Sequence, residues 1–208
     1  GEVTRRSATA VHNMASSAVA TPALLLVLLL CVSSSTAPAA GANDEKSSGF
    51  VREEAAPVKL REKMSHLHFY FHDVVGGRNA SAVPVVRPAR PPPSQFGMVR
   101  MMDDLLTAGQ EATSRAVGRA QGLYAFASEG ELGFLMVMNL AFTEGKYNGS
   151  VLSVMGRNPP LHPVREMPVV GGSGLFRFAR GYALANTVWL DSTTGDAIVE
   201  YNVYVIHY

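Results

Sequence analysis

Asp73 closes the run Leu67-His68-Phe69-Tyr70-Phe71-His72-Asp73, and it is the one acid on a face otherwise made of Leu67, Phe69 and Phe71. Alternate residues of an extended chain share a face, so these four side chains point the same way. A carboxyl on an apolar wall loses solvent, which disfavours its charged form and raises its proton affinity. Such a group is a candidate general acid. A plainer role also fits, that of a strand-end Asp capping the turn from Val74 to Gly77. Tyr124, in GRAQGLYAF, offers an aromatic wall and a hydroxyl donor, or is an ordinary core tyrosine. Arg165, in PVREMP, can hold an anionic oxygen or depress the pKa of a nearby acid. Alternatively it pairs with Glu166 at the surface, a weak and common arrangement.

His66, His68, Tyr70 and His72 share the opposite face of the first run. His66 and His68 have the spacing of zinc or copper ligands. No carboxylate follows on that face, so it reads as a polar outer surface and no metal is expected. The GGSG at 171–174 lacks the G-x-S-x-G elbow of a serine nucleophile. Without a following lysine and helix it is not a phosphate loop either. It reads as a turn whose glycines permit positive φ.

These residues need a scaffold, and the scaffold reads as strands. Phe96–Met102, Ala116–Ala127, Val151–Met155, Gly174–Gly181, Ala183–Leu190 and Ala197–His207 have the composition of short strands. Phe134–Phe142 is a continuous apolar run, either a buried strand or a short helix; its length and flanking glycines favour the strand. Val74–Ser94 contains a Gly-Gly pair and a Pro run and reads as an irregular loop, Asp103–Gln110 as a turn. No long amphipathic helix interrupts the series. Closely spaced strands without crossover helices imply an antiparallel sandwich or barrel, and pattern alone leaves both open.

The chain has 208 residues and a net charge of +1. Ala23–Val32 is a ten-residue apolar run, too short to cross a bilayer and suited to the core of an export signal. Ala37-Pro38-Ala39 and Ala40-Gly41-Ala42 offer cleavage sites. The expected organisation is an upstream gene-model extension at 1–13, a signal peptide at 14–39, a flexible polar leader at 40–65 and one domain at 66–208. The only cysteine, Cys31, lies in the signal, so cleavage removes thiol nucleophiles and cysteine-ligated metals from consideration. Beyond residue 39 there are 16 basic and 16 acidic residues. That balance gives no footprint for nucleic acid or for an anionic membrane. Asn79-Ala80-Ser81 and Asn148-Gly149-Ser150 are N-glycosylation sequons in expected loops.

LHFYFHD at 67–73, VGRAQGLY at 117–124 and the whole stretch from Phe142 to Tyr208 strongly resemble the plant dirigent family. The resemblance implies an all-β fold, an eight-stranded antiparallel up-and-down β-barrel similar to allene oxide cyclases, with a central ligand pocket. It implies a secreted protein of the apoplast, acting in lignan- or phenylpropanoid-type biosynthesis and in defence. Family members have no oxidative centre and no cofactor. A separate laccase or peroxidase makes phenoxy radicals from monolignols, and the dirigent protein fixes the face on which these, or derived quinone methides, couple or cyclise. Members form dimers or trimers. The resemblance places Asp73 at the aspartate of the family's His-Asp pair and Arg165 at its pocket arginine. Tyr124 is the first residue of a Tyr-x-Tyr pair whose second member is here Phe126. Asn158 stands where lignan-forming members carry an aspartate; it keeps shape and hydrogen bonds but carries no charge. An acid-catalysed isomerase or cyclase on a phenolic intermediate is the alternative activity, and a non-catalytic wall or defence module the other.

Overall fold

The computed structural model describes residues 60–89 and 95–208. The expectations for residues 1–13, for the signal segment 14–39 and for the leader up to residue 59 fall outside that range. The described chain forms nine strands. They are β1 (Lys63–Asp73), β2 (Ala82–Val86), β3 (Val99–Thr107), β4 (Ala116–Phe126), β5 (Phe134–Phe142), β6 (Val151–Asn158), β7 (Arg165–Ser173), β8 (Arg180–Leu190) and β9 (Ala197–His207). β3 to β9 run as one antiparallel meander, β1 adds to β9, and β1 closes onto β3. The result is a closed eight-stranded antiparallel barrel, with β2 lying on the remaining part of the β3 edge. Closure gives every barrel strand a neighbour on both sides, though β6 and β7 pair over only part of their length.

Strand alternation decides what goes inside. Along β9, Val199, Tyr201, Val203, Val205 and His207 are buried and the residues between them are half-buried. Phe69, Leu106, Met138, Leu140, Leu152 and Met167 face them from other strands and lose nearly all solvent contact. β1 begins at Lys63, so it takes in three residues that composition placed in the leader.

Four local expectations need correction. β3 runs through Asp103 to Thr107, where a turn was expected. The Asp-Asp pair suggested turn chemistry, but Asp103 points out to Arg119 and Gln121 while Asp104 points in. Before β3, Gln95 and Gly97 take positive φ (50° and 88°), so the expected strand from Phe96 starts only at Val99. The loop expected over Val74–Ser94 contains β2. The strand expected over Gly174–Gly181 is absent up to Ala179: Gly174–Phe176 is a single helical turn, β8 starts only at Arg180, and the preceding strand is β7. Pro168 hides β7 in sequence because a proline donates no ladder bond. It is accommodated because β6 and β7 pair only over Val151–Val154 and Val169–Ser173.

One end of the barrel is plugged. Phe176 is fully buried there, with Tyr147 stacked on it at 4.5 Å and Phe142 and His207 at 5.8 and 5.1 Å. A hydrogen-bond chain ties the plug to the wall. His207 Nδ1 donates to the Leu175 carbonyl (2.9 Å), so in the neutral ring Nε2 accepts from Ser65 Oγ (2.9 Å). Ser65 Oγ in turn accepts from the Tyr147 hydroxyl (2.7 Å). Asp73, eight residues along β1 from Ser65, sits at the other end.

Strand contact is among the closest at Gly122. A Cβ there would meet the Val137 carbonyl oxygen at 2.1 Å and the Met138 Cα at 2.8 Å. Both are backbone and cannot step aside. Gly122→Ala is expected to cost about 2 kcal/mol by overpacking, a fall in Tm of roughly 4–8 °C for a domain of this size. Thermal denaturation followed by circular dichroism measures it.

Candidate active site

The end opposite the plug holds a cavity of about 220 Å³. Most wall residues come from strand positions that alternation turns inward, the rest from loops at that end. Asp73 ends β1, Tyr124 and Phe126 alternate on β4, Phe134 starts β5, Asn158 ends β6 and Arg165 starts β7. The five residues singled out from sequence, Asp73, Tyr124, Phe126, Asn158 and Arg165, thus line one space. Phe126 and Phe134 lie 4.6 Å apart between ring centres, and Tyr124 is 5.1 Å from Phe134, so one side of the cavity is an aromatic wall.

Asp73 is half-buried and accepts from the Tyr124 hydroxyl, at 3.1 Å to Oδ2 and 3.3 Å to Oδ1. Its pKa is raised to about 6, chiefly by burial; Tyr124 and the charge of Arg100 pull it down, and Asp196 pushes it up. The Tyr124 phenol is pushed well above its ordinary value by burial and then by Asp73, so it stays a neutral donor. Asp73 does not cap the following turn. Asp196 does, its Oδ1 accepting from the backbone of Val75 (2.8 Å) and Gly76 (3.0 Å). The turn's needs are met elsewhere, and among the described residues the Asp73 carboxyl faces the cavity with only a tyrosine bonded to it.

Arg165 is 3% exposed and does not pair with Glu166. Its Nε donates to Asn158 Oδ1 (3.0 Å) and its Nη1 to the His162 carbonyl (3.4 Å). Burial lowers its pKa, opposed by the neighbouring Tyr201. Tyr201, fully buried, is itself pushed up by burial. The histidines on that face of β1 make local pairs. His66 stacks on Tyr204 and bonds Asn202 (2.8 Å), and His68 bonds Glu200 (2.8 Å). His72, expected on the outer surface, is buried and bonds Thr107 at 2.7 Å, because the barrel closes over it there.

Sequence reasoning missed two residues, Arg100 and Asp104, both on the inward side of β3. Arg100 lines the cavity and donates to the Ala82 carbonyl (3.3 Å). Asp104 is completely buried, takes a short hydrogen bond from Ser81 through Oδ1, and leaves Oδ2 without a partner among the described residues. Its pKa is raised to about 8, by burial first and then by the charge of Asp73. The signal was present: Arg100, Met102, Asp104 and Leu106 alternate, but only if the strand is carried past Asp103.

Comparison with known proteins adds an independent line. The family described as Dirigent-like protein matches residues 64–206. Dirigent protein 21 of Arabidopsis thaliana is 49% identical over 171 residues, 81% of this chain and 90% of that protein. Pterocarpan synthase 1 of Glycyrrhiza echinata is 53% identical over 150 residues, 71% of this chain and 80% of that protein. A solved structure of a pterocarpan synthase dirigent protein superposes with a TM-score of 0.68 at 53% identity, covering 72% of this chain and 88% of that one.

The Asp73 carboxyl should titrate near pH 6 in a carbon-13 NMR titration, and Tyr124→Phe should move the midpoint upward by removing the hydrogen bond that favours the anion. The linked effect on stability has a fixed sign. The folded state holds a proton that the unfolded chain releases near pH ~4. Asp73 therefore subtracts stability as pH rises from about 4 to 6, and Asp73→Asn should remove that slope.

Proposed function

The chain belongs to the dirigent-like family, and on that premise we propose that it directs the stereochemistry of ring closure or coupling of a phenolic intermediate, with Asp73 as its acid. The observation that carries this reading is the Asp73 carboxyl, facing an aromatic cavity and keeping its proton up to about pH 6. Relatives with half of their residues in common are named for the synthesis of a pterocarpan, which favours cyclisation over radical coupling.

For a quinone methide bearing a pendant hydroxyl, the chemistry balances without an oxidant. Asp73 gives its proton to the carbonyl oxygen while the pendant oxygen attacks the exocyclic carbon. One C–O bond forms, the ring regains aromaticity, and the proton lost by the attacking hydroxyl returns to the carboxylate. Tyr124 orients the acid, and the Phe126–Phe134 wall holds one face of the ring. A difference of about 2 kcal/mol between the two faces suffices for a preference of roughly 30-fold. On this reading a laccase or peroxidase supplies the intermediate, in the apoplast, and Asn79 and Asn148, both exposed, carry glycans.

The same reading includes assembly of identical copies. Val83, Met101, Leu123, Val137 and Met155 are successive cross-strand neighbours on the outer surface of β2 to β6. All but the half-buried Leu123 are exposed, and a row of apolar side chains across five strands is a surface that calls for cover. A row with the same chemistry along its length is self-complementary, as contact between copies requires.

With a purified quinone methide, chiral chromatography should show an enantiomeric excess with the intact protein and none with Asp73→Ala. The directed rate should fall above about pH 6 as Asp73 ionises. A racemic product from the intact protein, or full direction from Asp73→Ala, would overturn the reading. Val137→Asp should convert the assembly to monomers in size-exclusion chromatography with light scattering while leaving the circular dichroism spectrum unchanged.

A further inference from the structure

Two guanidinium groups line the cavity, and among the described residues neither has a carboxylate within salt-bridge distance. Arg165 is the more telling. It is almost completely buried, yet its side-chain partner is the neutral amide of Asn158 and its other partner a backbone carbonyl. Its Nη2 makes no hydrogen bond among the described residues, and Arg165 lines the cavity. Buried charges in proteins are ordinarily paired, because an unpaired one carries the full cost of leaving water. The missing anion is therefore one the ligand can bring. Arg100 adds a second positive charge to the wall. The one acid in the lining, Asp73, is held toward its neutral form.

The chemistry of that anion is constrained. A free phenol has a pKa near ~10 and is neutral in the range where the protein works, whereas a carboxylic acid with pKa ~4 is charged throughout it. A carboxylate also matches the planar fork of a guanidinium. Size narrows the choice further. At about 220 Å³ the cavity is smaller than the ~300–1,000 Å³ clefts that take drug-sized ligands. One aromatic ring with a short tail fits that space and the Phe126–Phe134 wall.

Building on the function proposed above, we infer that the pocket is built for a phenolic carboxylic acid whose carboxylate is taken by Arg165, the residue that Asn158 leaves without a counter-charge. The ring then lies along the aromatic wall and its phenol end reaches Asp73 and Tyr124. Asn158 becomes a specificity residue. An aspartate in its place would neutralise Arg165 from within the protein and turn the pocket toward neutral alcohols.

Isothermal titration calorimetry at about pH 5.5, below the Asp73 midpoint and above the ordinary carboxylate pKa of ~4, with 4-hydroxycinnamic acid and with 4-hydroxycinnamyl alcohol tests this. The acid should bind about tenfold or more tightly than the alcohol, the value of one charge-assisted hydrogen bond. Asn158→Asp, which preserves size and the Arg165 contact, should erase the acid's advantage and leave the alcohol within about threefold. Arg165→Lys, which keeps the charge but loses the fork, should retain part of the preference. Equal binding of acid and alcohol by the unmodified protein overturns the inference while leaving the stereo-directing function intact. So does an acid preference that survives Asn158→Asp. Binding of neither compound overturns both.

Discussion

One edge of β3 serves two strands, and the rest of the architecture depends on how that edge is divided. β2 takes Val99 to Met102, and β1 takes Leu105 to Thr107. The hand-over falls at Asp103 and Asp104, where Ser81 crosses. Its carbonyl accepts from the Asp103 backbone, its hydroxyl bonds the buried Asp104 carboxyl, and its own N–H returns to the Val74 carbonyl. The three cross-strand pairs that close the barrel lie immediately beyond this point. A buried acid is a costly element to place at a seam. Here it fixes the chain that leaves β1, and so fixes Asp73 at the end of that strand.

The electrostatics of the pocket follow from the same enclosure. Closure removes water from every inward polar group, and the cavity readmits it on one side only. Asp73 and Asp104 hold protons more tightly than exposed carboxyls do, and Arg165 holds its own less tightly. These three groups are thereby pushed toward their neutral forms, which is the condition for an acid to donate.

Much of this was legible in the sequence, in proportion to how cleanly alternation was written. The inward face of β1 and the span of β4, β5 and β9 follow from residue type alone. The five named site residues share a cavity because each lies on an inward face or at a strand end. β7 was hidden by Pro168 and the Gly171-Gly172 pair, whose local signals argue for a turn, yet which fit a strand whose pairing with β6 is incomplete. The Asp103-Asp104 pair misled in the same way. Charge suggested exposure, whereas one aspartate meets Arg119 outside and the other is buried at the seam. That Asp196, not Asp73, caps the Val75–Gly76 turn is a contact across more than a hundred residues. No local rule contains it.

The plug at the far end, with Phe176 at its centre and the Tyr147–Ser65–His207 chain at its rim, closes that end of the barrel among the described residues and leaves the cavity at the other. On the proposed function, a ligand and its product would use that same end, so a second molecule could not enter until the first had left. An elongated guest cannot turn end over end once inside a space this narrow. On that reading, which end goes in first is settled at the rim and carried unchanged to the moment of bond formation.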